Sequence, residues 1–134
     1  AFATGTFFWA PGSDRIVFQS KKGIAVVTLD KARETIVAAE LFGDPIWSPD
    51  GSRMMVLVKE GQTRAGTIWV MNSDGSALLE MARDARNPAW SPTGSHIAYT
   101  DSAGRLFTMR ADGKSRVQIT QGLEKYYRPK WVGR

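Results

Sequence analysis

The sequence predicts an all-β protein made of repeated four-stranded antiparallel units, about three of them plus one extra strand, and three observations carry that prediction. Tryptophan recurs as Trp9, Trp47, Trp90 and Trp131, at spacings of 38, 43 and 41 residues. Two of the four sit in closely matched phrases, Pro45-Ile-Trp-Ser-Pro-Asp-Gly-Ser-Arg53 and Pro88-Ala-Trp-Ser-Pro-Thr-Gly-Ser-His96. No segment sustains a helical apolar period, which excludes helical solenoids of similar repeat length. A fixed period of about forty residues describes stacked units, each of which buries its apolar face only against a neighbour.

Each element follows from local chemistry. After the Trp comes a turn, in which Pro presets φ and Gly accepts the left-handed geometry of a tight reversal. A strand follows in each copy, Arg15-Ile-Val-Phe18, Arg53-Met-Met-Val-Leu57 and His96-Ile-Ala-Tyr99, short, β-rich and bounded by polar or Gly residues. A second phrase then repeats: Gly66-Thr-Ile-Trp-Val-Met-Asn-Ser-Asp-Gly75 answers Gly104-Arg-Leu-Phe-Thr-Met-Arg-Ala-Asp-Gly113, with Gly23 to Asp30 as the weaker first copy. Large apolar residues alternate along it before the Asp-Gly turn, the mark of a half-buried strand entering a hairpin. Last strands are expected at 34–38, 77–81 and 116–120. The residues before Pro45, Pro88 and Pro129 are pushed toward extended geometry ahead of the next Trp.

Four short antiparallel strands per period are the blades of a β-propeller. The expected boundaries are blade 1 at about 4–40, blade 2 at about 43–82, blade 3 at about 86–121, and the start of a further blade at 126–134. The first repeat departs from the pattern, since Trp9-Ala-Pro-Gly-Ser-Asp14 scrambles the turn and Lys31 stands where the Asp-Gly glycine belongs.

These phrases resemble the TolB-type propeller repeat, a Trp-Ser-Pro-Asp-Gly turn followed by a hydrophobic strand ending Met-Asn-Ala-Asp-Gly. Trp47 to Gly51 with Trp69 to Gly75 is the strong match, and Trp90 to Gly94 with Phe107 to Gly113 is nearly as good. The resemblance implies binding through the faces or the central channel of a propeller, in the periplasm or another extracytoplasmic space.

Composition narrows the classes further. A protein of 134 residues with 43% apolar and 23% charged residues is an ordinary single globular domain. It has no cysteine, which excludes disulfides, thiolate nucleophiles and cysteine-bound zinc, and no apolar run long enough to span a bilayer. The net charge is +5, but the cations are mostly scattered singly, as on a solvated surface, and this argues against nucleic acid. The sequence opens on Ala1 without an initiator Met, so it is expected to be a mature or excised piece. Propellers close with about four to eight blades, so three leave open ends, and self-association of two copies into six blades is the expected remedy.

No catalytic group stands out. His96, the sole histidine, occupies the register of Arg15 and Arg53 and reads as a polar residue leaving a turn. Asp30, Asp74 and Asp112 lie one per repeat in hairpin turns, where Asp caps its own backbone, so no metal site and no cofactor are expected. The tryptophans, with Phe18, Trp69, Tyr99 and Phe107, sit in register with strand alternation and read as packing between blades.

Function is expected in loops that vary between repeats. Counting strand reversals places the blade-to-blade connections and the second-to-third strand turns on one face. The candidate ligand-binding residues there are Asp44, Arg64, Arg83, Arg86, Asn87, Tyr126, Tyr127 and Arg128. The expected function is a nonenzymatic scaffold module binding a protein or peptide. The alternatives are the noncatalytic propeller portion of a larger hydrolase or peptidase, or a carbohydrate-binding propeller.

Overall fold

The computed structural model describes residues 6–9, 15–20, 23–28, 33–38, 41, 43–59, 61, 64–73, 75–120 and 131–132. Every regular element among them is a strand: β1 (Thr6–Trp9), β2 (Arg15–Ser20), β3 (Gly23–Thr28), β4 (Arg33–Ala38), β5 (Ile46–Trp47), β6 (Arg53–Lys59), β7 (Gly66–Asn72), β8 (Leu79–Trp90), β9 (His96–Thr100), β10 (Leu106–Arg110) and β11 (Val117–Gln118). Strands β1 to β4 form a four-stranded antiparallel meander, and β5 to β11 form a seven-stranded one in sequence order.

The seven-stranded sheet is two blades joined through one strand. In its first part β8 pairs with β7, Val70 opposite Leu79 and Gly66 opposite Ala85, and in its second part it pairs with β9, Arg86 opposite Thr100 and Trp90 opposite Ile97. The change of partner falls where Asp84 and Asn87 take φ of +53° and +50°. This differs from the sequence expectation of two strands separated by a loop at 83–87, with Asn87 extended before Pro88. Asn and Asp tolerate left-handed backbone, so the polypeptide bends by bulges while the strand continues.

The turn phrase explains itself in hydrogen bonds. In blade 2 the Ser48 amide donates to the Arg53 carbonyl at 2.8 Å, and the Arg53 amide donates to the Ser48 hydroxyl at 3.0 Å. Blade 3 repeats both, with Ser91 and His96 at 2.9 and 3.0 Å. The serine of Trp-Ser-Pro is therefore a buried cap for the start of the following strand. Gly94, at φ +77°, closes the same turn, and a Cβ there would meet Pro49 of the neighbouring blade at 3.4 Å.

Packing occurs between blades. Val17, Ile24 and Val26 of blade 1 cluster with Met54, Val56, Val58 and Met71 of blade 2. Met55, Ile68 and Val70 of blade 2 cluster with Trp90, Ile97, Tyr99 and Met109 of blade 3. Alternate residues of β6 thus serve opposite interfaces, Met54 toward one neighbour and Met55 toward the other, as the strand period of two requires.

Two polar latches recur at these joints. The Trp90 indole donates to the Ile46 carbonyl at 3.1 Å, and the Trp131 indole donates to the Ala89 carbonyl at 3.3 Å, in each case to the residue before the preceding Trp. An arginine reaches forward as well: Arg15 bonds the Ser73 hydroxyl in the next blade's Asp-Gly turn, and Arg53 bonds the Ala111 carbonyl at the equivalent place, at 3.1 Å. Arg53 also lies 5.3 Å from the centre of the Trp90 ring. Trp47 and Trp90 are thus packing anchors between blades, Trp131 takes the equivalent seat beside blade 3, and Trp9, expected to pack in the same way, is 62% exposed because no blade precedes it among the described residues.

Candidate functional site on the connector face

The two ends of the blades carry different chemistry. At one end the Asp-Gly turns bond the Ser-rich turns of their own blade, the Ser73 amide to the Ser52 carbonyl at 2.9 Å and the Ala111 amide to the Ser95 carbonyl at 2.8 Å. That end is regular and repeats. At the other end lie the connections between blades and the turns between second and third strands, tied together where Ser102 donates to Asp84 at 3.1 Å and Thr100 donates to the Arg86 carbonyl at 3.3 Å.

This second end holds a pocket of about 180 Å³ between the β8 connector and blade 3, lined by Arg83, Asp84, Tyr99, Asp101, Arg105, Phe107 and Arg116. Tyr99 and Phe107 stack beneath it, their centres 5.3 Å apart and their planes 9° from parallel. Arg116 sits 5.7 Å from the Phe107 ring centre. Burial pushes the Tyr99 hydroxyl above its ordinary pKa, against the opposing pull of a hydrogen bond with Arg116.

Asp101 is the anchor of the site. It is 4% exposed, and its carboxylate accepts the Ala103 and Arg105 amides at 3.0 and 2.9 Å and the Arg105 Nε at 2.7 Å. Burial alone would raise its pKa, but these donors outweigh burial and hold it below the usual carboxylate range. Arg105 is thereby fixed by one edge of its guanidinium while its side chain stays 46% exposed. The other carboxylate, Asp84, is exposed and takes the Ser102 hydroxyl.

Of the residues expected from sequence, Arg83 lines the pocket and pairs with Glu80 at 2.8 Å. Arg86 and Asn87 are half-buried in β8, Arg86 through its carbonyl part of the connector's anchoring. Asp44 and Arg64 are exposed on the blade 2 part of the face, outside the pocket. Tyr126, Tyr127 and Arg128 lie outside the described residues. Sequence reasoning missed Asp84, Tyr99, Asp101, Arg105, Phe107 and Arg116 as site residues. Departure between repeat copies could have found three of them: Tyr99 replaces Val56, Arg105 replaces Thr67, and Arg116 replaces Leu78.

Among the described residues no three His, Asp or Glu side chains gather as a cation site, and no helix is long and apolar enough to cross a membrane. His96 is exposed and its Nδ1 shares a 2.8 Å hydrogen bond with the Ser95 hydroxyl.

Comparison with known proteins fits this architecture. The protein is 35% identical over 110 residues to the Tol-Pal system protein TolB of Anaeromyxobacter dehalogenans, a match covering 77% of this sequence and 25% of that relative's length. No protein-family model matches. Among solved structures, the β-propeller domain of Cps50 (Swd1) from Myceliophteria thermophila superposes with a TM-score of 0.62 at 13% identity, over 89% of this protein and 44% of that one. A structural-genomics protein of unknown function from Bacteroides thetaiotaomicron gives 0.58 at 18%, over 90% and 33%. An oligogalacturonate lyase in complex with manganese gives 0.52 at 19%, over 75% and 31%. The molecule is a partial β-propeller, whose described residues build three four-stranded antiparallel units. Its repeats are of the TolB type.

Proposed function

We propose that this protein is a nonenzymatic interaction module that binds a protein or peptide on its connector face. The observation that supports this reading is the pocket itself, which gathers the residues that break the repeat on one face while the opposite face repeats regularly. A repeated scaffold needs its blades alike for packing, so side chains that differ between copies and converge are the natural carriers of a specific task. Blade boundaries at about 4–40, 43–82 and 86–121 and action in the periplasm or another extracytoplasmic space belong to the same reading.

Self-association into six blades would bring Trp9 of a second copy toward the Ala89 carbonyl, the seat Trp131 already fills. Closure by that route requires the segment at Trp131 to yield.

Affinity capture with two charge-matched variants tests the proposal. Arg64→Glu with Arg86→Glu alters the connector face, and Arg110→Glu with Lys114→Glu alters the opposite face by the same charge. The first pair should lower partner capture at least tenfold and the second should leave it within about twofold, since rim charges on an unused face contribute little. The reverse pattern would defeat the assignment.

A further inference from the structure

We infer that the blade 3 pocket receives a single carboxylate from a partner peptide, either that of an acidic residue or that of a free C-terminus. The inference rests on the connector-face reading and names its ligand.

Size comes first. At about 180 Å³ the pocket is below the roughly 300 to 1,000 Å³ of sites that enclose a whole small molecule, so it suits one side group or one terminus of a larger partner. Charge comes second. The lining carries the guanidiniums of Arg83, Arg105 and Arg116 beside the carboxylates of Asp84 and Asp101; Glu80 takes up Arg83 at 2.8 Å and Asp101 takes up Arg105, which leaves Arg116 to face the exposed Asp84. With Asp84 and Asp101 in the lining, a monoanion is opposed less than a phosphate dianion.

Geometry is the third support. Asp101 holds Arg105 through Nε, which leaves the terminal amino groups of a fixed guanidinium for a second acceptor at the pocket it lines, and two such N–H donors suit a carboxylate. Arg116 is likewise held over Phe107. The half-buried Phe107 offers an apolar wall for the short stem that carries a carboxylate. The left-handed backbone at Asp84, where β8 bulges, sets one wall of the same pocket.

Titration of the folded protein, followed by the amide signals of 101–107, tests this with defined probes. N-acetylglutamate N-methylamide presents an acidic-residue carboxylate, N-acetylalanine presents a C-terminal one, and N-acetylglutamine N-methylamide and inorganic phosphate are the controls. One carboxylate probe should bind about tenfold more tightly than the glutamine amide, the difference a charge-assisted hydrogen bond makes. Which of the two does so identifies the source. Arg116→Gln should weaken that binding about tenfold, and Asp84→Asn, which removes an opposing charge, should strengthen it severalfold. Equal binding of the glutamate and glutamine probes, tighter binding of phosphate, or weaker binding by Asp84→Asn would each overturn the inference. If the carboxylate probes fail while the connector-face variants still abolish capture, the face is right and the ligand class is wrong.

Discussion

Arg53 shows what one residue contributes at a blade joint. Its guanidinium donates to the Ala111 carbonyl and lies over the Trp90 ring, so it fastens the turn and the first strand of the next blade at once. Replacing it by alanine should cost about 2 kcal/mol of unfolding free energy by denaturant titration, the sum of a charged hydrogen bond and a cation–π contact. An unchanged midpoint would show that the latch does not matter. Asp50 contributes in a different way. Its carboxylate accepts the Ser52 amide, the Ser52 hydroxyl and the Ser48 hydroxyl, the first of these dominating, and its pKa falls to about 2. A carboxyl depressed in the folded state stabilises above its unfolded pKa, and the contribution is lost as pH falls through the folded value. Stability should therefore drop between about pH 4 and pH 2, and the drop should be smaller in Asp50→Asn; equal drops in both proteins would contradict the assignment. These roles are only half legible in the sequence. The Ser and Asp of the turn phrase declare themselves because their partners lie within five residues, whereas the partner of Arg53 is 58 residues away and no local pattern points to it.

At the scale of elements, the turns and strands follow the repeat because each is set by its own dozen residues. Strand β8 does not. Its continuity from Leu79 to Trp90 depends on β7 and β9 offering edges on successive stretches, a tertiary condition that Arg83 to Asn87 do not advertise. The pocket is illegible for a related reason. Its lining comes from the connector, from both sides of the β9–β10 turn and from the residue before β11, while Tyr99 and Phe107 also pack with the core and so read as packing alone. The Trp latch is an element-level device, since it ties the first strand of blade 3 to that of blade 2 and the segment at Trp131 to that of blade 3. Trp90→Phe keeps most of the ring and removes only the donor to the Ile46 carbonyl, so a loss of about 1 kcal/mol is expected, measured against Trp90→Ala, which should lose more than about 3 kcal/mol by vacating the blade 2 to blade 3 core. Equal losses in the two variants would mean that the indole hydrogen bond, rather than ring packing, carries the joint.

Each blade of the molecule exposes large apolar residues, Trp9 in blade 1, Ile46, Leu78 and Leu79 in blade 2, Val117 and Ile119 in blade 3. Trp9 is 62% exposed, whereas Trp90, in the same register but between two blades, is 8% exposed. Apolar area of this kind favours association. Because Trp131 fills the seat that an incoming Trp9 would take, Trp131→Ala should move the sedimentation-equilibrium mass toward that of a dimer relative to the unmodified protein, and an unmoved mass would rule out ring closure through that seat. The proposed function rests on the asymmetry between the two faces, one regular and self-bonded, the other carrying the arginine-rimmed pocket. On this proposal the irregular face is the one that binds. Amide hydrogen exchange of the protein, alone and with a captured partner, tests it most directly. Exchange should slow at 83–86 and 101–105 while the turns at Gly51, Gly94 and Gly113 stay unchanged; slowing at those three turns, with 83–86 and 101–105 unaffected, would contradict it.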